Sequence, residues 1–380
     1  MKTHGVSAFF LLILFLSGAA QAQRPPETHP ASENRRIVLT YDRSSLPPDH
    51  VLWADRTVLG FSTNAALLYG RIHLTCVSSS SPERGQCPTS HHPDASLGQS
   101  AIPLRFVERR SGLATNVTLT GFHQRIGPTK SCAGDYWMLE RRPLWSSTGG
   151  ECLVTELPIG TGAALSLASS ELQKLVAGRW DAVLELALRA DPDGPILATY
   201  LFTFDLTITD HANASIYFPL FDHVTPHVGL NIDYIPTGSP PTIGGSAGLD
   251  MCLYDGLGSQ SQYLDVTISD DGRPAPGRRP GMYSVWRKGG TSDEVDRLDY
   301  QITMDYDDAK IAIHNARVER LSGVDTSKLR LVVLPSMVQP VYCVPTPLAL
   351  ITPRVAASSK AEGYYEGRLR IEMNMPVSSP

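Results

Sequence analysis

Along much of the chain apolar residues recur at every second position. Val117 and Leu119 alternate with Thr118 and Thr120, and Phe202, Phe204, Leu206 and Ile208 alternate with Thr203, Asp205 and Thr207. The same rhythm returns in Leu264-Asp265-Val266-Thr267-Ile268, in Leu298, Tyr300, Ile302 and Met304, and in Leu369, Ile371 and Met373, which Arg370 and Glu372 separate. Neighbouring side chains on a strand point to opposite faces, so these runs predict half-buried antiparallel strands. Their even spacing, in a chain with 31 Gly and 29 Pro among 380 residues, predicts an all-β protein of sandwiches rather than βαβ units. One helix is expected among the strands. Ser170 with Gln173 forms a capping box, Leu172, Leu175 and Val176 an apolar stripe, and Gly178 a left-handed stop before a strand from Ala182 to Leu188.

A chain this long predicts about two domains. The segment Thr209-Asp210-His211-Ala212 follows a strong strand and precedes a fresh start at Ser215-Ile216-Tyr217-Phe218, which puts the expected domains at 23–209 and 210–380. At the other end, Met1 and Lys2 lead into an apolar run from Ala8 to Leu16 and then Ala20-Gln21-Ala22, so residues 1–22 read as a secretory signal peptide. The run is shorter than the ~20 residues a spanning helix needs. Residues Gln23 to Arg36, polar and holding Pro25, Pro26 and Pro30, read as a mobile arm. The 33 basic and 38 acidic residues give a net charge of −5, against the basic balance of a nucleic-acid binder.

An exported chain with an even number of cysteines points to disulfides rather than metal ligands. Cys76, Cys87, Cys132, Cys152, Cys252 and Cys343 allow fifteen connectivities. The economical pairing is Cys76–Cys87, Cys132–Cys152 and Cys252–Cys343, with no bridge between the halves.

Candidate chemistry is sparse. Gly244-Gly245-Ser246-Ala247-Gly248 fits the serine-hydrolase pattern, but no helix follows to make the nucleophile elbow, so it reads as a flexible loop. His91-His92 with Asp94 diverge as neighbours on an extended chain and read as a solvated loop. Asp305, Asp307 and Asp308 lack the glycine and the terminal Glu of a calcium loop and read as a strand end. Arg71 stands apart from the surface arginine doublets, because the run Leu67 to Cys76 reads as a strand pinned by a disulfide, where a guanidinium is a fixed donor for a carboxylate or sugar hydroxyls.

Five segments then occur in a familiar order: Tyr69 to Cys76 (YGRIHLTC), Gly178 to Leu186, Ile216-Tyr217-Phe218-Pro219, Asp250 to Gly256 (DMCLYDG) and Tyr365 to Ile371. The chain resembles the tip adhesins of class 5 (colonisation-factor) fimbriae and the related cable-pilus initiator minor pilins, from about Val51 to Asn374, with all six cysteines where that family has them. The resemblance implies a minor pilin of a Gram-negative bacterium, without a cofactor, made of an N-terminal adhesin domain and a C-terminal pilin domain, both immunoglobulin-like. The pilin domain of such proteins lacks its last strand. A periplasmic chaperone fills the groove before the outer-membrane usher, and the major pilin subunit's N-terminal extension replaces it in the fibre. The alternating run at 369–373, with only residues 376–380 after Met375, suits a missing terminal strand, and the prolines of the arm disqualify it as a donor.

The resemblance also implies a receptor site. Arg71 matches an arginine that the family's adhesins use to bind a host-cell glycan, while the family's second arginine pair falls here on Ala190 and Asp191. Arg189 substitutes by a one-residue shift, and Tyr69 offers a stacking face. The leading expectation is a non-enzymatic tip adhesin and assembly initiator, exported through the periplasm to the fimbrium tip. The alternatives are a purely structural initiator and, on the Ser246 motif alone, a secreted hydrolase.

Overall fold

The structure, a computed structural model, describes residues 23–92, 97–132, 134–148, 156–221, 223–335 and 337–375. The expected leader, Asp94 and Cys152 lie outside the described residues. The first eight strands are β1 (Glu33–Asp42), β2 (His50–Phe61), β3 (His73–Cys76), β4 (Ser100–Glu108), β5 (Ala114–Ile126), β6 (Gly160–Leu167), β7 (Gly178–Arg189) and β8 (Ile196–Thr209). They run in the order β1-β8-β7-β4-β5-β6-β2, with β3 added beside β7. Strands β4 and β7 pair only at Val107↔Asp181 and Glu108↔Trp180, so the sheet folds over at that corner and closes on itself as a sandwich. The two layers meet through rings: Trp53 of β2 lies 4.9 Å from Tyr200 and 5.4 Å from Phe202, and Phe106 of β4 lies 5.4 Å from Phe204. The alternation read from the sequence is realised on β8, where Phe202, Phe204 and Leu206 are fully buried and each contributes roughly 1.5–3 kcal/mol of transfer free energy.

The second half holds β9 (Ser215–Tyr217), β10 (Asp233–Ile235), β11 (Thr242–Leu249), β12 (Cys252–Tyr254), β13 (Tyr263–Ser269), β14 (Tyr283–Arg287) and β15 (Arg297–Tyr306). After them come β16 (Ala309–Ile313), β17 (Val318–Ser322), β18 (Arg330–Val332), β19 (Val341–Pro345), β20 (Leu348–Ala356), β21 (Tyr365–Glu366) and β22 (Arg370–Asn374). One sheet runs β10-β11-β20-β15-β14-β21, and facing it are β18-β19-β12-β9 and β17-β13-β22. Leu264, Val266, Ile268, Tyr300, Ile302 and Met304 fill the core between them.

The segment from Asp250 to Gly256 joins the two halves. Its alternation places Cys252 and Tyr254 in the first hydrophobic core and Met251 and Leu253 in the second. Asp255 folds the following turn by accepting the backbone N–H groups of Leu257, Ser259 and Ser261. Across the junction Arg110 donates to the carbonyls of Ser259 and of Ser327 (2.8 Å), and Gln260 donates to Glu108 (3.2 Å).

Three local expectations change. The arm is ordered: Thr28 and Phe61 exchange backbone hydrogen bonds, and Glu33 to Arg36 already belong to β1, which lies parallel to β8 with Ile37 opposite Phe204. The polar residues there face outward, while Ile37 and Tyr41 enter the core. The helix is a single turn, Ser169–Leu172, with Ala168 at its N-cap. The Tyr41 hydroxyl takes the Leu172 carbonyl and the Trp180 indole takes that of Val176, so these carbonyls are satisfied without further helix. The Ser246 motif is neither loop nor elbow but part of β11, with Ser246 opposite Ile351 of β20. Glycine is needed there, since a Cβ on Gly245 would meet the Asn231 carbonyl at 2.4 Å.

Candidate functional site: the Arg71 edge of the first sandwich

Arg71 sits in the turn just before β3 rather than on a strand, its backbone N–H donating to Leu68 O (2.9 Å). Gly70 makes that turn possible, because a Cβ there would lie 1.8 Å from the Pro158 carbonyl oxygen. Beneath it is Arg125 of β5, fully buried, which donates to Ile72 O (2.7 Å), Thr161 Oγ1 (2.5 Å), Ser146 O (2.8 Å) and Thr148 O (3.0 Å). One guanidinium thereby ties the Arg71 turn to the segment carrying Trp145. Burial pushes Arg125 down to about 9, so it stays charged at neutral pH. The sequence reading missed this residue, because His123-Gln124-Arg125 breaks the alternation and resembles a solvated strand end.

Pairing of β3 with β7 sets His73 opposite Arg189 and brings Arg71 and Arg189 to one end of the sandwich. Arg189 is oriented inward along β3, with Nε donating to Thr75 Oγ1 (3.2 Å). Arg71, its side chain 41% exposed, meets Asp191 at 3.3 Å. Asp191, on which the resemblance places one of the expected arginine pair, is thus an acid that pairs with Arg71. Two residues on, Asp193 accepts both the backbone N–H of His91 (2.8 Å) and a contact from its ring (3.0 Å), which hold its carboxyl below the usual carboxylate range. His73 lies behind, buried, with neither ring nitrogen hydrogen-bonded among the described residues and Nε2 3.8 Å from Asp193; burial first, and then Arg125, pushes its pKa down. Tyr69 points elsewhere, its hydroxyl bonded to His29 Nδ1 (2.9 Å) and its ring edge-on to that imidazole.

Disulfides brace this end and the junction. Cys76–Cys87 closes an 11-residue loop, and Cys252–Cys343 spans 91 residues. Cys132 is also disulfide-bonded. The 76–87 loop forms one wall of an open groove of about 510 Å3, whose lining includes Gln86, Thr89, His92 and Trp145.

Comparison with known proteins identifies the architecture. The family model for the first domain of CfaE, the CFA/I fimbrial protein, matches residues 18–211, and the model for its second domain matches residues 214–377. The curated CfaE protein of Escherichia coli CFA/I fimbriae is 26% identical over 372 residues, covering 96% of each chain. The crystal structure of CfaE, the adhesive subunit of CFA/I fimbria of enterotoxigenic Escherichia coli, matches with a TM-score of 0.69 at 24% identity, over 93% of this chain and 95% of that one. A chaperone–tip adhesin complex of CFA/I fimbriae biogenesis matches with a TM-score of 0.64 at 24% identity, over 93% and 99% of the two chains. The chain belongs to the CfaE family of CFA/I fimbrial proteins, the class 5 fimbrial group that its sequence resembles.

Proposed function

We propose that the protein is a fimbrial tip subunit that accepts a donor strand through its second domain and binds a host-cell glycan through its first, with the boundary at 209/210. The observation that carries the reading is the state of β22. It pairs with β13 alone among the described residues, and Ile371 and Met373 are only half-buried against the second core. Exposed apolar residues gather at 220–232, with Leu220 at 75% and Val224 at 79% exposure. A strand with a free edge and an unfinished apolar face is what β-augmentation fills. Meanwhile β1 is engaged along β8 and is not a free donor. A subunit that accepts but does not donate caps the fibre, which argues for the tip. Display at the bacterial surface then follows export through the periplasm and passage through an outer-membrane usher, and the related chaperone–tip adhesin complex supports a chaperone partner.

Strand acceptance is tested by appending the major pilin's donor segment to the C-terminus: the extended chain should melt higher, and an unchanged melt removes the reading. Receptor binding by Arg71, with Arg189 on the paired strand β7 and without Tyr69, which is turned to His29, is tested by placing the complemented parent and Arg71→Ala on one glycan array. Binding by the parent that the variant loses supports a lectin-type adhesin. Binding by neither, with both folded, favours a second reading, a purely structural initiator, for which the Arg71–Asp191 pair is the specific argument. Deleting the first domain does not separate these readings cleanly, because Cys252 and Tyr254 are buried in its core and would be exposed.

A further inference from the structure

Beside the Arg71 edge lies a second feature that the arginine reading does not use. The groove walled by the 76–87 loop and floored by β4 at Ala101 and Pro103 has a volume of about 510 Å3, within the ~300–1,000 Å3 typical of small-ligand clefts. Among the described residues no Lys, Arg, Asp or Glu side chain lines it. Its polar groups are the Gln86 amide, the hydroxyls of Ser79, Thr89 and Ser90, the His92 ring and the Trp145 indole. Within the same described set the Thr89 and Ser90 hydroxyls and the Trp145 N–H make no hydrogen bond of their own, while Gln86 is oriented by its bond to Ser79 O (3.2 Å). The walls are fixed in advance: Cys76–Cys87 closes the loop, Gln86 N–H donates to Pro103 O (2.9 Å), and His92 N–H donates to Trp145 O (3.0 Å).

We infer that this groove is the primary saccharide site and that it takes an uncharged sugar. Recognition of a neutral sugar calls for an apolar ring face against an aromatic plane and for both donors and acceptors around the rim, without the cost of desolvating an ionised group. Trp145, half-buried against the first core, is the aromatic group lining the groove, and amide, hydroxyl and imidazole groups supply the rim. The neighbouring edge has the same bias, since Arg71 is matched by Asp191 and His91 by Asp193, so a sialic acid carboxylate approaching Arg71 meets two acids. The Ser90-His91-His92 strip joins groove and edge, since Ser90 and His92 line the groove while His91 bonds Asp193 at the edge. This inference rests on the receptor-binding reading and specifies its ligand class.

The test is an array of matched sialylated and unsialylated glycans, probed with the full donor-strand-complemented chain, with Thr89→Arg, which puts a bulky cation into the groove from an exposed position, with Gln86→Ala and with Arg71→Ala. Melting curves verify that each variant is folded. Binding of unsialylated glycans by the parent, at least about tenfold weaker with Thr89→Arg, a loss of about 1.4 kcal/mol, and weaker with Gln86→Ala, is the expected result. If Arg71→Ala abolishes binding while Thr89→Arg and Gln86→Ala bind as the parent does, or if only sialylated glycans bind, the groove inference is overturned and the Arg71 reading stands. If the folded parent binds no glycan, the receptor reading falls and the groove inference with it.

Discussion

In the first sandwich the last strand, β8, has a neighbour along both edges, β7 and β1, whereas in the second β22 is paired along one edge among the described residues. The two strands carry the same alternation. Phe202, Phe204 and Leu206 on β8 are sealed from water, while Leu369, Ile371 and Met373 reach only half-burial. The difference lies in what covers each strand, since burial of a strand face is a property of its neighbours rather than of its sequence. One domain closes itself with the chain's own N-terminal segment, and in the other β22 keeps one edge unpaired among the described residues, the edge to which the proposed donor strand would add.

The largest expected effect breaks this asymmetry directly. A donor strand appended at the C-terminus adds about four apolar side chains to the second core, at roughly 1.5–3 kcal/mol each before ordering costs. A net gain on the order of 5 kcal/mol raises the melting temperature by roughly 10–20 °C at ~2–4 °C per kcal/mol. Melting curves of the bare and the extended chain, recorded side by side, should show the rise.

Next in size is the bridge at the junction. By loop-closure entropy, removing Cys252–Cys343 with its 91-residue span costs about 4–5 kcal/mol, against about 3 kcal/mol for Cys76–Cys87. Paired Cys→Ser variants in urea titrations should preserve that order. Because Cys252 sits in the first core, its loss should also lower the stability of the first sandwich, which a strictly domain-local bridge would leave alone.

A smaller effect tests how firmly the two halves are joined. Arg110→Ala leaves the carbonyls of Ser259 and Ser327 without their donor, at about 1–3 kcal/mol. The expected readout is a single calorimetric transition in the parent that broadens or splits in the variant.

The smallest effect is a pH dependence confined to the first domain. Burial, reinforced by Arg125, lowers the pKa of His73 and of His123 below the ordinary 6.5. The unfolded chain therefore binds these protons first, so their contribution is fully present above about pH 6.5 and is lost as the pH falls below it. The first domain should melt lower at pH 5 than at pH 7.5, and His123→Gln should flatten that difference.

The strands with clean alternation, β8, β13, β15 and β22, were legible in the sequence, as were two of the disulfides. Legibility failed where a backbone contact outweighed the pattern. The Ser246 segment has too few apolar side chains to alternate, yet the fold draws it into β11 because its glycines admit the chain at Asn231. The arm reads as solvated through Arg36, but parallel pairing with β8 needs only the inward Ile37 and Tyr41 to be apolar. At the candidate site Arg71 stood out beside a disulfide-pinned run before the family resemblance matched it to a receptor arginine, whereas Arg125 was hidden, since nothing local distinguishes a buried guanidinium satisfied by distant carbonyls from an exposed one. Asp191 was visible as a departure from the family, but its pairing with Arg71 is set by the register of β3 on β7.

The central claim, one closed sandwich and one open, is tested most directly by amide hydrogen exchange on the same molecule with and without the appended donor strand. The account predicts that β22 and the 220–232 segment gain protection when the strand is present, while β8 is equally protected in both forms. Unchanged exchange at β22, or protection gained at β8 as well, would contradict it.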